Sequence, residues 1–260
     1  MSLLDRISAS FNSQSNALDK KEKYSSFGFQ KNALAKNITK QGTLTRIAFP
    51  HITDEELAFH FPMQFIYKYL NRLTIQNAMK INSNIEKILY ENGLTKDFYI
   101  QNVNSIIMSH LIPTARKAKE TYLNLGHRTN EKNYLYLVEA CLLHDIGKVF
   151  IPPDILNKRG KLSPKERQII ELHNRLSYEI LITTELNPKV AQLAYEHHNY
   201  NNDIKPNDEN QVLTMADIYS ALKEVRPYKK ALGDYQTRTI LYDMAAKGKF
   251  IIKYMSYLKF

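Results

Sequence analysis

The chain has 260 residues, of which 43% are hydrophobic, and this suffices for one large domain or two modest ones with a real core. The formal net charge of +10 indicates anionic partners, yet the basic residues are scattered along the chain, which argues against a nucleic-acid-binding protein. There is no apolar run long enough to cross a membrane, and the first 20 residues lack the apolar core of a secretory signal, so we expect a cytoplasmic protein without a membrane partner. Cys141 is the single cysteine, so we expect no disulfide within the chain.

Residues 1–100 are predicted to form a mainly helical N-terminal region with a regulatory role. Residues 1–50 are polar and fit either short amphipathic helices or an irregular arm. The spacing of a capping box at residues 53–56 predicts the start of a short helix. Apolar residues then follow helical spacing over residues 62–90, and Gly93 is expected to end that stretch.

The remainder, residues 101–260, is predicted to form helices joined by short turns. Pro113 lacks a backbone donor and is expected to kink the first of these helices near His110. Ser163 and Glu166 form a capping box that predicts the start of the helix carrying Ile169 and Leu176. Apolar residues at helical spacing predict three further helices, one with Leu137 and Cys141, one with Val190 and Leu193, and one with Leu213 and Ala216. Nothing alternates convincingly with a period of two residues, so the predicted fold is all-α.

Five of the eight histidines, together with two aspartates, fall on the core-facing sides or ends of these predicted helices. They are His110, His144, His173, His197 and His198, with Asp145 and Asp217. One histidine on an apolar face is usually an ordinary core residue. Burying seven such groups without a shared partner would cost several kcal/mol each, by an order-of-magnitude estimate. Imidazole and carboxylate ligands suit Fe, Mn or Zn, so the set predicts a metal cluster.

The same region resembles a known family. Residues 142–148 read LLHDIGK, and the series continues with residues 151–158, 160–163, 166, 173, 197–198, 216–222 and 226–229 in order. This series is similar to the HD superfamily of metal-dependent phosphohydrolases and, within it, to the HD-GYP subfamily, whose members hydrolyse cyclic di-GMP. The resemblance covers about half of the chain and implies an HD-type helical bundle.

The resemblance also implies a role for each matched residue. The terminal metal ligands would be His110, His144, His173, His197, His198 and Asp217. Asp145 would bridge two divalent metals, Fe or Mn in the first place, with Zn, Ni and Mg also compatible. Lys148 would contact the substrate phosphate or the metal-bound hydroxide and take part with Asp145 in catalysis, while Arg226 and Lys229 would bind the nucleotide. On a plainer interpretation, Lys148 is a lysine favoured by a helix dipole, and Arg226 and Lys229 are surface charges.

Three positions depart from the family pattern. Residues 199–206 lack the glycines and the tyrosine of the Gly-Tyr-Pro turn, so this loop should be shaped differently. Ile106 stands where members with a third metal have a glutamate, which predicts two metals rather than three. Ser220 replaces an aspartate and should change the hydrogen bonding near the nucleotide.

Three functions follow from these observations. The first is a phosphodiesterase that cleaves cyclic di-GMP to linear pGpG or to GMP. The second is a weakly active or inactive metal-binding relative that serves as a nucleotide receptor or a protein-interaction module. The third is a phosphohydrolase acting on another nucleotide. A signalling protein partner could bind residues 1–100 or the loop at residues 199–206, and a homodimer is left open.

Overall fold

The computed structural model describes residues 69–70, 72–198, 207–225 and 230–260. Within these ranges every regular element is helical and there is no strand, which confirms the predicted all-α fold. The α-helices are α1 (Arg72–Ile81), α2 (Ser83–Glu91), α3 (Ile100–Asn104), α4 (Ile112–Asn124), α5 (Lys132–Leu143), α6 (Pro153–Leu156), α7 (Pro164–Leu181), α8 (Pro188–Glu196), α9 (Asp208–Lys223) and α10 (Asp234–Ala246). A π-helical turn spans Ile107–Leu111, and 3-10 helices span Ile146–Phe150 and Ile252–Tyr257.

Helix α5 forms the centre of the bundle. It packs against α4, α8 and α9, while α7 packs against α8 and the 3-10 helix that follows α5. Leu137, Cys141 and Leu142 are fully buried, and burial continues through Ile146. The apolar side chains of α5 therefore carry its polar C-terminal residues into the interior.

A π-helical turn precedes Pro113, where the sequence predicts a kink. The N–H of Leu111 donates to the carbonyl of Ile106 at 2.9 Å, which is the five-residue spacing of a π-turn. Pro113 lies in the first turn of α4 and has no N–H to donate to the preceding π-turn. Leu111 and Ile112 keep right-handed helical backbone angles, so α4 continues directly from the π-turn.

Gly147 allows the 3-10 helix to lie directly on α7. A Cβ atom at this position would lie 2.6 Å from the backbone nitrogen of Ser177 and closer still to the carbonyl oxygen of His173. Its N–H donates to Ser177 Oγ at 2.8 Å, and that hydroxyl donates to the carbonyl of His144 at 2.6 Å. Only glycine fits this contact, which brings residues 144–147, here termed the HD turn, against α7.

The helices before residue 100 also contact the bundle. Asn82 caps the start of α2 and hydrogen-bonds the side chain and carbonyl of Glu179 on α7. All described residues belong to one compact unit, Ala48–Phe260. The boundary proposed at residue 100 remains a prediction, and most of the N-terminal region predicted at residues 1–100 lies outside the described residues. None of the described helices combines the length and apolarity needed to span a membrane.

Candidate metal centre

Seven predicted ligands converge at the centre of the bundle, although they come from five different segments. They are His110 on the π-turn, His144 and Asp145 at the end of α5, His173 on α7, His197 and His198 at the end of α8, and Asp217 on α9. All are buried except His198, which is half-buried. Their ligand atoms fall into three overlapping groups, each within 4.8 Å: one of His173, His197 and His198, one of His110, His144 and Asp145, and one of His144, His197 and Asp217.

The two carboxylate oxygens of Asp145 face different histidines. Oδ1 lies 3.2 Å from Nε2 of His173, whereas Oδ2 lies 3.5 Å from Nε2 of His144 and 3.6 Å from Nε2 of His110. Asp217 Oδ1 lies 2.9 Å from His110 Nε2 and 3.6 Å from His144 Nε2. Asp145 thus meets one imidazole with Oδ1 and two others with Oδ2.

Three of the histidines are held in one orientation by the same local hydrogen bond. The Nδ1 atoms of His144, His173 and His197 each lie 2.6–2.9 Å from the backbone carbonyl three residues earlier. An Nδ1 atom that faces a carbonyl oxygen carries the proton, so in the neutral rings Nε2 presents its lone pair to the centre. This backbone partner is the usual support of a histidine that binds a metal.

No hydrogen-bond donor of the described residues faces the Nε2 atoms of His144, His173 and His197. Nε2 of His144 is buried without a hydrogen-bond partner among the described residues. Nε2 of His173 lies 3.4 Å from Nε2 of His197, and neither has a proton to donate to the other. Buried lone pairs that face one another are unfavourable unless a cation lies between them. The residues therefore fit divalent metal ions, which imidazole and carboxylate ligands bind well.

Burial and neighbouring charges set the protonation of the centre. Burial lowers the pKa of His173 to about 3 and, together with His198, lowers that of His197 well below its ordinary value. Burial opposes ionisation of Asp145, but Lys148 and the histidines outweigh it and hold the pKa of Asp145 well below its usual range. At neutral pH these groups are neutral imidazoles and an anionic carboxylate, the forms that bind metals.

His144 and Asp217 favour a positive charge at the same place. Burial lowers the pKa of His144, but Asp145 and Asp217 outweigh it and raise that pKa. Burial likewise opposes ionisation of Asp217, but the neighbouring imidazoles of His110 and His144 outweigh it and hold the pKa of Asp217 well below the usual value. The carboxylates thus attract either a proton or a metal ion to this side of the centre.

Lys148 points into the same centre from the 3-10 helix. Its Nζ lies 2.6 Å from Asp145 Oδ2, and its side chain is 15% exposed. The amide of Asn102 supports this turn from α3 by donating to the carbonyls of Lys148 and Ile151 at 2.9 and 2.7 Å. Asn102 and Ser177 were not predicted from the sequence, because their hydrogen bonds to backbone carbonyls have no pattern of their own.

The remaining predicted positions are the nucleotide contacts and the three departures from the family pattern. Arg226, Lys229 and the loop at residues 199–206 lie outside the described residues, so the nucleotide contacts stay predictions. Ile106 lies at the start of the π-turn, and its apolar side chain has no ligand atom. Ser220 is 2% exposed, and its hydroxyl has no hydrogen-bond partner in the described part of the chain.

Comparison with known proteins places the chain in a family. The family model described as HD domain matches residues 101–250. A cyclic di-GMP phosphodiesterase response regulator, RpfG of Xanthomonas campestris pv. campestris, is 32% identical over 114 residues, which are 39% of this chain and 30% of that protein. A 3′3′-cGAMP-specific phosphodiesterase 2 of Vibrio cholerae is 36% identical over 121 residues, 42% of this chain and 23% of that protein.

Two further similarities complete the comparison. A cyclic di-GMP phosphodiesterase of Thermotoga maritima is 34% identical over 103 residues, 35% of this chain and 27% of that protein. The chain thus spans less than a third of the length of each of these relatives. The HD domain of L. monocytogenes phosphodiesterase PgpH, solved with cyclic-di-AMP, has a TM-score of 0.44 and 20% identity, and covers 60% of this chain and 91% of that one. The match of the HD domain model to more than half of the chain shows that the protein belongs to the HD domain family, and its curated relatives agree with the HD-GYP type indicated by its motifs.

Proposed function

We propose that the protein is a metal-dependent phosphohydrolase that cleaves a phosphodiester bond of a cyclic dinucleotide. Cyclic di-GMP is the first candidate substrate, with linear pGpG or GMP as the product. The observation that carries this proposal is Asp145, whose two oxygens face His173 on one side and His110 and His144 on the other. The names of the relatives from Xanthomonas and Thermotoga support the choice of substrate.

The ligands divide into two sets around Asp145. The first set contains His173, His197 and His198, whose ligand atoms form one close group. The second set contains His110 and His144, whose Nε2 atoms lie 2.9 and 3.6 Å from Asp217 Oδ1. Two divalent ions, Fe or Mn in the first place, would occupy these sets. Such ions supply Lewis acidity and a nucleophile that is available at neutral pH.

Lys148 is the side chain that would add a positive charge to that of the metal ions. Its ammonium group lies at the partly buried edge of the centre, against Asp145. A phosphodiester gains negative charge in its transition state, and a fixed cation in a poorly solvated place stabilises that charge more than one in water. Lys148 would therefore orient and neutralise the phosphate, and Arg226 and Lys229 would bind the rest of the nucleotide.

Two other functions have support of their own. The similarity to a 3′3′-cGAMP-specific phosphodiesterase favours another cyclic dinucleotide as an alternative substrate. The loop at residues 199–206 lacks the glycines of the family turn, which favours a receptor with weak or no turnover that binds a nucleotide or a protein. A signalling partner at residues 1–100 or at this loop, and a homodimer, belong to that second proposal.

The test is turnover by the metal-loaded protein. Protein loaded anaerobically with Mn²⁺ or Fe²⁺ is incubated with cyclic di-GMP and, separately, with 3′3′-cGAMP, and the products are separated by chromatography. We expect cleavage by the wild type, loss of cleavage in Asp145→Ala, and no change in Asp243→Ala, which removes an exposed aspartate on α10. Unchanged turnover after Asp145→Ala would contradict the proposed centre. Binding of both nucleotides without cleavage would instead support the receptor.

A further inference from the structure

His110 is held differently from the other buried histidines of the centre. His144, His173 and His197 each have Nδ1 against the carbonyl three residues earlier, at 2.6–2.9 Å. Nδ1 of His110 is buried and has no hydrogen-bond partner among the described residues. Its own backbone therefore does not fix the orientation of the ring, and another contact has to do so.

The backbone that carries His110 adds to this requirement. The π-turn at Ile107–Leu111 inserts one residue into the helical path, and both His110 N–H and Leu111 N–H point to the carbonyl of Ile106 at 2.9 Å. Single π-turns are rare and less favourable than α-helix, so they persist where tertiary contacts hold them. A contact that holds this turn also sets the position of His110.

Helix α9 contacts the π-turn at two points. Asp217 Oδ1 lies 2.9 Å from His110 Nε2, and Glu224, just beyond the end of α9, accepts a hydrogen bond of 2.8 Å from Ser109 Oγ. Glu224 is 7% exposed, so water competes little with this bond. Asp217 and Glu224 are seven residues apart, which is about two helical turns and places both on one face.

We infer that Ser109 and Glu224 form a clamp that positions His110 as a metal ligand. The clamp holds the residue next to His110, while Asp217 meets the imidazole itself. Together the two contacts keep Nε2 beside Asp217 and Asp145 without help from Nδ1. Glu224 and Ser109 are positioning residues, since neither is among the ligand groups around the centre. This inference rests on the proposed metal centre.

The clamp is tested by Mn²⁺ binding to the whole 260-residue chain after any metal has been removed with a chelator. Free Mn²⁺ is followed by electron paramagnetic resonance during titration. Ser109→Ala and Glu224→Ala should each lower the affinity for one of the Mn²⁺ ions by about tenfold, the usual effect of losing a hydrogen bond that supports a ligand. The double variant should bind Mn²⁺ no more weakly than the single variant with the lower affinity. Glu224→Gln keeps an acceptor oxygen and should bind like the wild type.

Two further variants make the result specific. Ser105→Ala removes a hydroxyl of the same segment that donates to the nearby carbonyl of Asn102, and this change should leave Mn²⁺ binding unchanged. Adding Glu224→Ala to His110→Ala should cause no additional loss. Wild-type affinity in both Ser109→Ala and Glu224→Ala, with circular dichroism showing that they are folded, would overturn the clamp alone. Failure of the wild type to bind Mn²⁺ would overturn the metal centre and the clamp together.

Discussion

Nε2 of His173 lies 3.4 Å from Nε2 of His197, although both rings have Nδ1 against a backbone carbonyl. Two neutral imidazoles with this orientation present lone pairs to each other and cannot form a hydrogen bond. Burial lowers the pKa of both histidines, so a proton between them is disfavoured near neutral pH. A divalent metal ion between the two nitrogens would make this contact favourable, so the stability of the protein should depend on metal.

Removal of metal should destabilise the protein. Metal that binds only the folded state adds about 2.7 kcal/mol at a free concentration one hundred times its dissociation constant. For a domain of this size that corresponds to a rise of roughly 5–10 °C in the melting temperature. Calorimetry of the chelator-treated protein with and without Mn²⁺ measures this shift, and His173→Ala should reduce it. An equal shift in wild type and His173→Ala would mean that the ion binds elsewhere.

Replacement of Lys148 should impair turnover without removing the metal. Lys148→Ala should lower kcat/KM by about a hundredfold, since it removes a fixed charge that acts on the transition state. Metal content, measured by elemental analysis, should stay at the wild-type level because lysine is not a ligand. Lys247→Ala is the matched control: it breaks an ion pair with Asp243 at the same distance, 2.6 Å, on the exposed surface. Loss of metal in Lys148→Ala would show instead that Lys148 supports Asp145 structurally.

The HD turn should not tolerate a larger residue at position 147. The added methyl group of Gly147→Ala would meet the backbone of α7 and the Cβ of Leu176 at 2.9 Å, and backbone atoms cannot move aside as a flexible side chain can. We expect a loss of about 1–3 kcal/mol in the free energy of unfolding, the usual cost of overpacking. Gly160→Ala serves as the control because a Cβ there meets no atom within 4 Å. Its unfolding in urea should match the wild type within about 0.5 kcal/mol.

The sequence predicted the residues that meet at the candidate metal centre more fully than the contacts that hold them. His144, Asp145 and Asp217 could be found because polar groups on apolar helix faces are costly to bury without a partner. The supports at Ser177 and Asn102 bond to backbone carbonyls, and serines and asparagines of this kind occur throughout any sequence.

Pro113 gave a partial signal for the irregular backbone beside His110. The π-turn before it leads directly into α4 with helical backbone angles, and a proline does not reveal whether the preceding residues form a kink or a π-turn. That choice depends on tertiary contacts with α9, such as the one between Ser109 and Glu224. Long-range contacts of this kind are set by packing, which local spacing does not encode.

Glu139 should make the stability of the protein depend on pH. This residue of α5 is 4% exposed, and its Oε2 has no hydrogen-bond partner among the described residues. Burial raises the pKa of Glu139 from 4.5 to about 7. Because the folded state holds the proton more tightly than the unfolded state, the stabilisation is complete below pH 4.5 and is lost as the pH rises through 7.

The test compares Glu139→Gln with the wild type in urea at several pH values. From pH 4.5 to pH 8 the wild type should lose about 3 kcal/mol more than Glu139→Gln, as a shift of this size implies. Parallel pH profiles for the wild type and Glu139→Gln would show that the Glu139 carboxyl is solvated or paired in solution.

Glu166 should affect stability with the opposite pH dependence. Hydrogen bonds from Lys158 and from the backbone of Ser163 lower the pKa of Glu166 to about 2. The stabilisation by Glu166 is therefore present above pH 4.5 and is lost as the pH falls, so Glu166→Gln should be less stable than the wild type near neutral pH.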